Sequence, residues 1–211
     1  MNIIYYVLIT VAAYLIGSIS TAILVGKIIS GDDIRSHGSG NAGATNALRT
    51  YGKMAAVYVT LGDCLKSAIS CVGAILIARF TPLGAENADI AIYCAGFGAV
   101  MGHNFPLYFK FKGGKGILVS VTALYFANWQ IALTVTIIAI AIMAITKYVS
   151  LGSVIGASLF IIFGFIFKLD DNVPYVVFAT LLGSIAIYRH KANIARLIKG
   201  TESKLTDKKN K

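Results

Sequence analysis

The sequence predicts an all-α polytopic membrane protein with seven transmembrane helices, the N-terminus outside and the C-terminus in the cytoplasm. Hydrophobic residues make up 57% of the 211 residues and charged residues only 13%. A soluble domain of this size rarely contains so few charges. Apolar stretches that suit a bilayer recur along the chain, and they are predicted as helices because lipid cannot satisfy open backbone groups. They cover residues 3–25, 55–77, 90–101, 117–145, 151–167 and 173–188.

The stretch 117–145 fits either one long helix or two short ones. A single helix would be roughly 44 Å long at about 1.5 Å per residue, against a bilayer core of about 30 Å. It would also move Lys147 and the basic C-terminal tail to the outside. We therefore predict two short helices that turn at Asn128-Trp129-Gln130.

The charge distribution sets the orientation. With seven helices, the cytoplasmic side receives all of the 19 lysines and arginines except Arg79 and Lys168. This asymmetry is typical of the positive-inside rule. The net charge of +10 therefore belongs to helix ends, and we expect no nucleic-acid partner. We expect one membrane-embedded domain over residues 1–203 and a basic cytoplasmic tail over 204–211.

Three polar segments, 33–52, 102–116 and 188–202, face the cytoplasm in this topology. In the first, residues 39–46 are nearly all small, which allows backbone N–H groups to approach a ligand. Thr45 or Asn46 is predicted as the N-cap of a helix that carries Arg49, and such a helix start suits a phosphate. The alternative is a tight turn between two helices.

The second segment contains Gly-Gly-Lys-Gly at residues 113–116. We interpret it as a flexible backbone nest whose positive charge, above all that of Lys115, suits a phosphate. It lacks the spacing of a nucleotide-binding P-loop, so nucleotide hydrolysis is not indicated. A basic loop that holds lipid headgroups is the alternative. His103 in this segment is either a ligand or base, or a stabiliser of the loop.

The third segment places His190, Asn193 and Arg196 on one helical face, because they are spaced by three. An imidazole can exchange a proton near neutral pH, so His190 can act as an acid or base. The alternative is a helix end anchored to headgroups. We expect Glu202 to form an ion pair rather than do chemistry.

Asp63 and Lys66 are a charged pair inside an apolar stretch, which is costly unless the two charges are paired or line a site. They are predicted as structural support, with Arg196 and Glu202. The sequence offers no metal-ligand cluster and no cofactor motif.

These segments resemble the bacterial acyl-phosphate:glycerol-3-phosphate acyltransferases, the PlsY family. The resemblance rests on GSIS (17–20), DIRSHGSGNAGATNALRTYG (33–52), GHNFPLYFKFKGGKG (102–116), KYVSLGS (147–153) and RHKANIARLIKGTE (189–202). The family usually has Pro at the position of Ser20. The resemblance implies a multi-pass enzyme of the bacterial inner membrane, with seven helices and an active site that faces the cytoplasm.

The resemblance also implies the reaction, which is acyl transfer from acyl phosphate to the sn-1 hydroxyl of glycerol 3-phosphate, giving lysophosphatidic acid and phosphate for phospholipid synthesis. The enzyme that forms acyl phosphate is a candidate partner, and no cofactor is expected. The predicted site residues fall into two sets. The catalytic set is Ser39, Arg49, His190 and Asn193. The substrate-binding set is Gly40, Asn41, Thr45, Asn46, His103, Gly113, Gly114, Lys115 and Gly116.

Other readings fit parts of the pattern. A transporter of a phosphorylated metabolite would also bind phosphate, but we find no repeat, and the polar segments lie at one surface rather than the midplane. A lipid-binding scaffold would explain the basic loops but not a Gly/Ser/Asn/Thr cradle with a histidine. The soluble-type glycerolipid acyltransferases use His with Asp four residues later, and none of the three histidines here has that partner.

Overall fold

The computed structural model describes residues 2–207, and every regular element in that range is a helix. Met1 and residues 208–211 of the predicted basic tail lie outside the described residues. The α-helices are α1 (Asn2–Gly17), α2 (Thr21–Ser30), α3 (Ala44–Tyr51), α4 (Lys53–Phe80), α5 (Ala88–Asn104), α6 (Ile117–Ala127), α7 (Trp129–Thr146), α8 (Val149–Lys168), α9 (Val173–Arg189) and α10 (Lys191–Ile198). Short 3₁₀ turns cover Ile34–Ser36, Ala85–Asn87 and Leu107–Phe109. The all-α prediction is confirmed.

The helices form two compact units with a boundary between Ala127 and Asn128. The first unit contains α1–α6 and the first two polar segments. The second contains α7–α10 and the third polar segment.

Five helical segments within residues 2–207 are long and apolar enough to cross a membrane. They are Asn2–Ser30, Lys53–Phe80, Ala85–Phe109, Trp129–Thr146 and Val149–Lys168. Helices α9 and α10 pass the same test only as a pair bent by 58°, and α6 is a shorter apolar helix. Seven crossings require both α6 and the α9–α10 pair to span the bilayer, so that count and the orientation stay predictions.

The apolar pattern of residues 3–25 predicts one continuous helix, but the structure divides this stretch into two helices. Helix α1 ends at Gly17 and α2 begins at Thr21. The break leaves the carbonyl of Ile19 outside the helical ladder, where it accepts a hydrogen bond from Lys66 Nζ at 3.0 Å. A distant partner therefore stabilises an interruption that hydrophobicity alone does not indicate.

The division of 117–145 into two helices is confirmed. Helix α6 ends at Ala127 and α7 begins at Trp129. Asn128 caps α7, because its side-chain oxygen accepts a hydrogen bond from the backbone N–H of Ile131 at 3.0 Å. Asparagine is among the preferred N-cap residues, and a polar cap inside an apolar run marks the boundary.

Helices α1 and α5 pack with their backbones close together, through glycines. A Cβ on Gly98 would overlap the carbonyl of Thr10 and lie 3.1 Å from the Cβ of Ala13. A Cβ on Gly102 would overlap the carbonyl of Tyr14. Small residues at such crossings are typical of helix pairs in membranes.

We therefore expect Gly98→Ala to lower the free energy of unfolding by about 1–3 kcal/mol, the usual cost of overpacking. Gly73→Ala is the matched control, because a Cβ at that position of α4 meets nothing within 4 Å. The control should be neutral or stabilising by about 0.5–1 kcal/mol, since alanine favours helix more than glycine does. Unfolding midpoints in detergent measure both, and equal midpoints would contradict the packing account.

Candidate active site

The first polar segment folds around Asn46, which is buried with 1% exposure. Its side-chain oxygen accepts a hydrogen bond from the backbone N–H of Ser39 at 2.9 Å. Its side-chain nitrogen donates to the carbonyls of Ile34 at 3.2 Å and His37 at 3.0 Å. Asn46 therefore holds the loop that presents Ser39, and Ser39 and Gly40 are exposed.

The predicted N-cap is wrong by two or three residues. Helix α3 begins at Ala44 with Gly43 in extended conformation at the N-cap, rather than with Thr45 or Asn46 there. The amide of Asn46 is used by the preceding loop, so it is not available to cap the helix. Thr45 and Arg49 are one turn apart on α3, which places them on the same face, and both are half-buried.

Arg35 connects the first polar segment to the second. Its guanidinium Nη1 donates to the carbonyls of Phe109 at 2.9 Å and Lys112 at 2.8 Å. Its Nη2 lies 2.6 Å from Asp33 Oδ2. Hydrogen bonding from Arg35 lowers the pKa of the Asp33 carboxyl, so this anchor is ionised at neutral pH. In the sequence Arg35 stands out only as a positive charge, and its spacing of two residues from Asp33 is the one signal of this contact.

The loop at 113–116 is packed against the end of α5 instead of extending as a flexible nest. The N–H of Gly113 donates to the carbonyl of Asn104 at 3.2 Å, and the N–H of Gly114 donates to the carbonyl of His103 at 3.1 Å. A Cβ on Gly114 would overlap His103 Nε2 and lie 2.7 Å from the carbonyl oxygen of Ala42. Gly116 has a φ of +78°, which glycine adopts without strain. Close packing and backbone shape thus explain these glycines, and Lys115 between them is half-buried.

Beneath this loop, Asp63, Lys66 and His103 form a buried cluster. Lys66 Nζ lies 2.9 Å from Asp63 Oδ1 and 2.9 Å from His103 Nδ1. The three residues are 3%, 5% and 7% exposed. The expected Asp63–Lys66 pair is confirmed, and His103 lies with that pair in the interior of the first unit.

The third polar segment lies in the second unit, at the junction of α9 and α10. His190 is 4% exposed, and its Nδ1 lies 2.7 Å from the carbonyl oxygen of Ala186. A carbonyl only accepts hydrogen bonds, so Nδ1 carries a proton, and neutral His190 has its lone pair at Nε2. That tautomer is suited to take up a proton at Nε2.

Glu202 fixes the other two residues of this segment. Asn193 Nδ2 donates to Glu202 Oε1 at 2.6 Å, and Arg196 Nε donates to Oε2 at 2.7 Å. The expected Glu202 ion pair is confirmed. Burial acts to raise the pKa of Glu202, but hydrogen bonds from Asn193 and Arg196 outweigh it, and the net pKa lies below the ordinary value of 4.5.

A carboxyl group whose pKa is lowered by folding stabilises the fold at pH values above its unfolded-state pKa. That contribution is lost as the pH falls through the lowered pKa of the folded state. We therefore expect Glu202→Gln to lower the unfolding midpoint at pH 7. The difference from wild type should shrink once the pH falls below about 4.5. Glu86→Gln, in the loop before α5, is the control. A Glu202→Gln deficit that stays constant down to acidic pH would contradict the ion-pair account.

Known proteins that resemble this chain identify its family. The glycerol-3-phosphate acyltransferase family model matches residues 7–200. A glycerol-3-phosphate acyltransferase of Clostridioides difficile (strain 630) is 45% identical over 99% of this chain and 100% of its own. One of Bacillus subtilis (strain 168) is 41% identical over 94% of this chain and 96% of its own.

A solved structure also matches. The crystal structure of PlsY (YgiH), an integral membrane glycerol 3-phosphate acyltransferase in its glycerol 3-phosphate form, superposes with a TM-score of 0.84. It is 32% identical, and the match covers 95% of this chain and 96% of that one. The chain therefore belongs to the integral membrane PlsY family of glycerol-3-phosphate acyltransferases.

Proposed function

We propose that this glycerol-3-phosphate acyltransferase uses acyl phosphate as its donor and acylates the sn-1 hydroxyl, giving lysophosphatidic acid and phosphate. The observation that carries the proposal is the link through Arg35, which ties the segment bearing Arg49 to the loop bearing Lys115. Two partly exposed cations thus belong to one polar framework of the first unit. A related PlsY has been solved in glycerol 3-phosphate and lysophosphatidic acid forms, which supports the acceptor and the product.

The chemistry needs positioning more than a nucleophilic side chain, because acyl phosphate is already activated. The acceptor hydroxyl oxygen bonds to the acyl carbonyl carbon, and the bond from that carbon to the phosphate oxygen breaks. The phosphate leaves with the electron pair. The hydroxyl proton goes either to His190 Nε2 or to the phosphate of a substrate. Alignment and charge stabilisation supply the rate enhancement.

The proposed roles follow from residue chemistry. Arg49 and Lys115 clamp phosphate groups by charge-assisted hydrogen bonds. Ser39 and Asn41 donate hydrogen bonds to phosphate or to the developing oxyanion. Asn193, held by Glu202, orients a substrate beside His190. Gly40 and Thr45 line the same segment as Ser39 and Asn41. Gly113, Gly114 and Gly116 shape the loop that presents Lys115, since the N–H groups of Gly113 and Gly114 already donate to carbonyls of α5.

The site is proposed to face the cytoplasm of a bacterial inner membrane. Glycerol 3-phosphate is water-soluble and an acyl phosphate carries a long apolar chain, so the two meet where the bilayer ends. The acyl chain would lie between helices, open to lipid. The enzyme that forms acyl phosphate is the partner this scheme implies.

To test the reaction directly, purified protein in detergent is incubated with palmitoyl phosphate and labelled glycerol 3-phosphate. Acyl-CoA and acyl carrier protein donors are run in parallel. We expect labelled lysophosphatidic acid and released phosphate from palmitoyl phosphate alone. Product only from a thioester donor would overturn the donor assignment. Label accumulating unchanged inside sealed proteoliposomes would indicate a transporter instead.

Lys115→Ala should raise the KM for glycerol 3-phosphate about tenfold or more, since a charge-assisted hydrogen bond contributes about 1.5–3 kcal/mol. Lys112→Ala is the matched control, because the exposed Lys112 contributes its backbone carbonyl to Arg35. Steady-state kinetics with varied acceptor measure both. An unchanged KM in Lys115→Ala would remove Lys115 from the acceptor site.

His190→Ala should lower kcat by about 10²–10⁴-fold if His190 takes the proton. The protein should still fold, with an unfolding midpoint below that of wild type, because His190 is buried and its Nδ1 donates to the Ala186 carbonyl. His37→Ala, a half-exposed histidine in the first segment, is the control and should keep its turnover. Normal turnover in His190→Ala would leave His190 a structural role and assign the proton to a substrate phosphate.

A further inference from the structure

The buried cluster under the loop is a complete set of hydrogen-bond partners for one ammonium group. Lys66 Nζ lies 2.9 Å from Asp63 Oδ1, 3.0 Å from the carbonyl oxygen of Ile19, and 2.9 Å from His103 Nδ1. A lysine ammonium has three N–H donors and no acceptor. With His103 Nδ1 as an acceptor, each donor has one acceptor, and the buried charge is compensated by the Asp63 carboxylate.

Nδ1 of His103 lies 2.9 Å from Lys66 Nζ and 3.5 Å from Asp63 Oδ1, and we base the state of the ring on the shorter contact. A ring nitrogen accepts from an ammonium only when it carries no proton, so Nδ1 of His103 is unprotonated. Neutral imidazole then carries its proton on Nε2. An imidazolium would place an N–H at Nδ1 against a cationic Nζ at 2.9 Å, which is electrostatically unfavourable.

The Nε2 edge of His103 faces the loop. A Cβ on Gly114 would overlap Nε2 and would lie 2.7 Å from the carbonyl oxygen of Ala42. His103 Nε2 and the carbonyl oxygen of Ala42 therefore both lie against Gly114. The next residue along the loop is Lys115.

The neighbouring residue supports the same loop. Asn104 is fully buried, and neither its amide nitrogen nor its amide oxygen has a hydrogen-bond partner within the described residues. A Cβ on Gly116 would lie 2.7 Å from Asn104 Oδ1. The end of α5 thus directs two adjacent polar side chains at the glycines on either side of Lys115.

We propose that Lys66 fixes His103 as the neutral Nε2–H tautomer, and that this N–H docks residues 113–116 against the first polar segment and so positions Lys115. His103 is then a positioning residue rather than an acid, base or substrate ligand. The inference rests on the proposed function only for its kinetic consequence. A buried lysine and aspartate inside a spanning helix are explained by this positioning task, since intramembrane charges are costly without one.

The spectroscopic test uses ¹⁵N-labelled histidine in the full-length protein, which has only three histidines. Couplings between the ring nitrogens and the carbon-bound ring protons distinguish the two tautomers and the imidazolium. We expect the His103 signals, assigned by their loss in His103→Gln, to show Nε2–H at pH 7. Lys66→Met should move them to a form protonated at Nδ1, which lies 3.5 Å from Asp63 Oδ1. A wild-type His103 protonated at Nδ1 would overturn the proposal.

The kinetic test compares two amide replacements. Glutamine places an N–H near the position of Nε2, whereas asparagine reaches only the position of Nδ1. We expect His103→Asn to raise the KM for glycerol 3-phosphate about tenfold and His103→Gln to stay within about threefold of wild type. Ser70→Ala is the matched control, because Ser70 is buried one turn beyond Lys66 and donates to the Lys66 carbonyl.

The two tests separate the inference from the proposed function. If wild-type protein shows the expected tautomer but no acyl transfer, the positioning cluster stands and the proposed reaction fails. If acyl transfer is normal and both His103 variants keep the wild-type KM, the reaction stands and the positioning role is wrong. An equal rise in the KM for glycerol 3-phosphate in both variants would also contradict a role for the Nε2–H.

Discussion

The Lys66 ammonium contacts three parts of the first unit, which are the break between α1 and α2, helix α4 and the end of α5. A charge in an apolar interior is tolerated only when it is paired and its donors are satisfied. One acceptor, the Ile19 carbonyl, exists because the chain breaks between α1 and α2. A second comes from α4 itself and a third from the end of α5. The break, the intramembrane aspartate and the buried histidine are therefore parts of one arrangement.

The phosphate chemistry proposed for this protein depends on the loop at residues 113–116 being held in place. Glycines in the 113–116 loop allow the backbone to approach α5 and Ala42, and Arg35 ties the loop to the first segment from the other side. Cations held on such a framework need little reorganisation when a phosphate binds, which is the advantage of preorganised electrostatics. Acyl transfer from an activated donor requires alignment above all, and a fixed loop beside a helix supplies alignment.

Features that are determined by neighbouring residues in the sequence were predicted correctly. Apolar length predicted the spanning helices, the polar Asn128 marked the division of 117–145, and acidic Glu202 in a basic segment indicated an ion pair. Features that depend on distant partners were missed or misplaced. Asn46 has the right chemistry for an N-cap, but the loop before it uses its amide. Nothing near Ile19 in sequence signals the Lys66 contact that stabilises the helix break.

We propose that the first unit holds the phosphate of glycerol 3-phosphate between Arg49 and Lys115, and a crystal structure of the protein with bound glycerol 3-phosphate would show whether it does. We expect phosphate oxygens within hydrogen-bonding distance of the Lys115 ammonium and the Arg49 guanidinium, with Ser39 close by. A phosphate bound elsewhere, with both side chains out of contact, would contradict it.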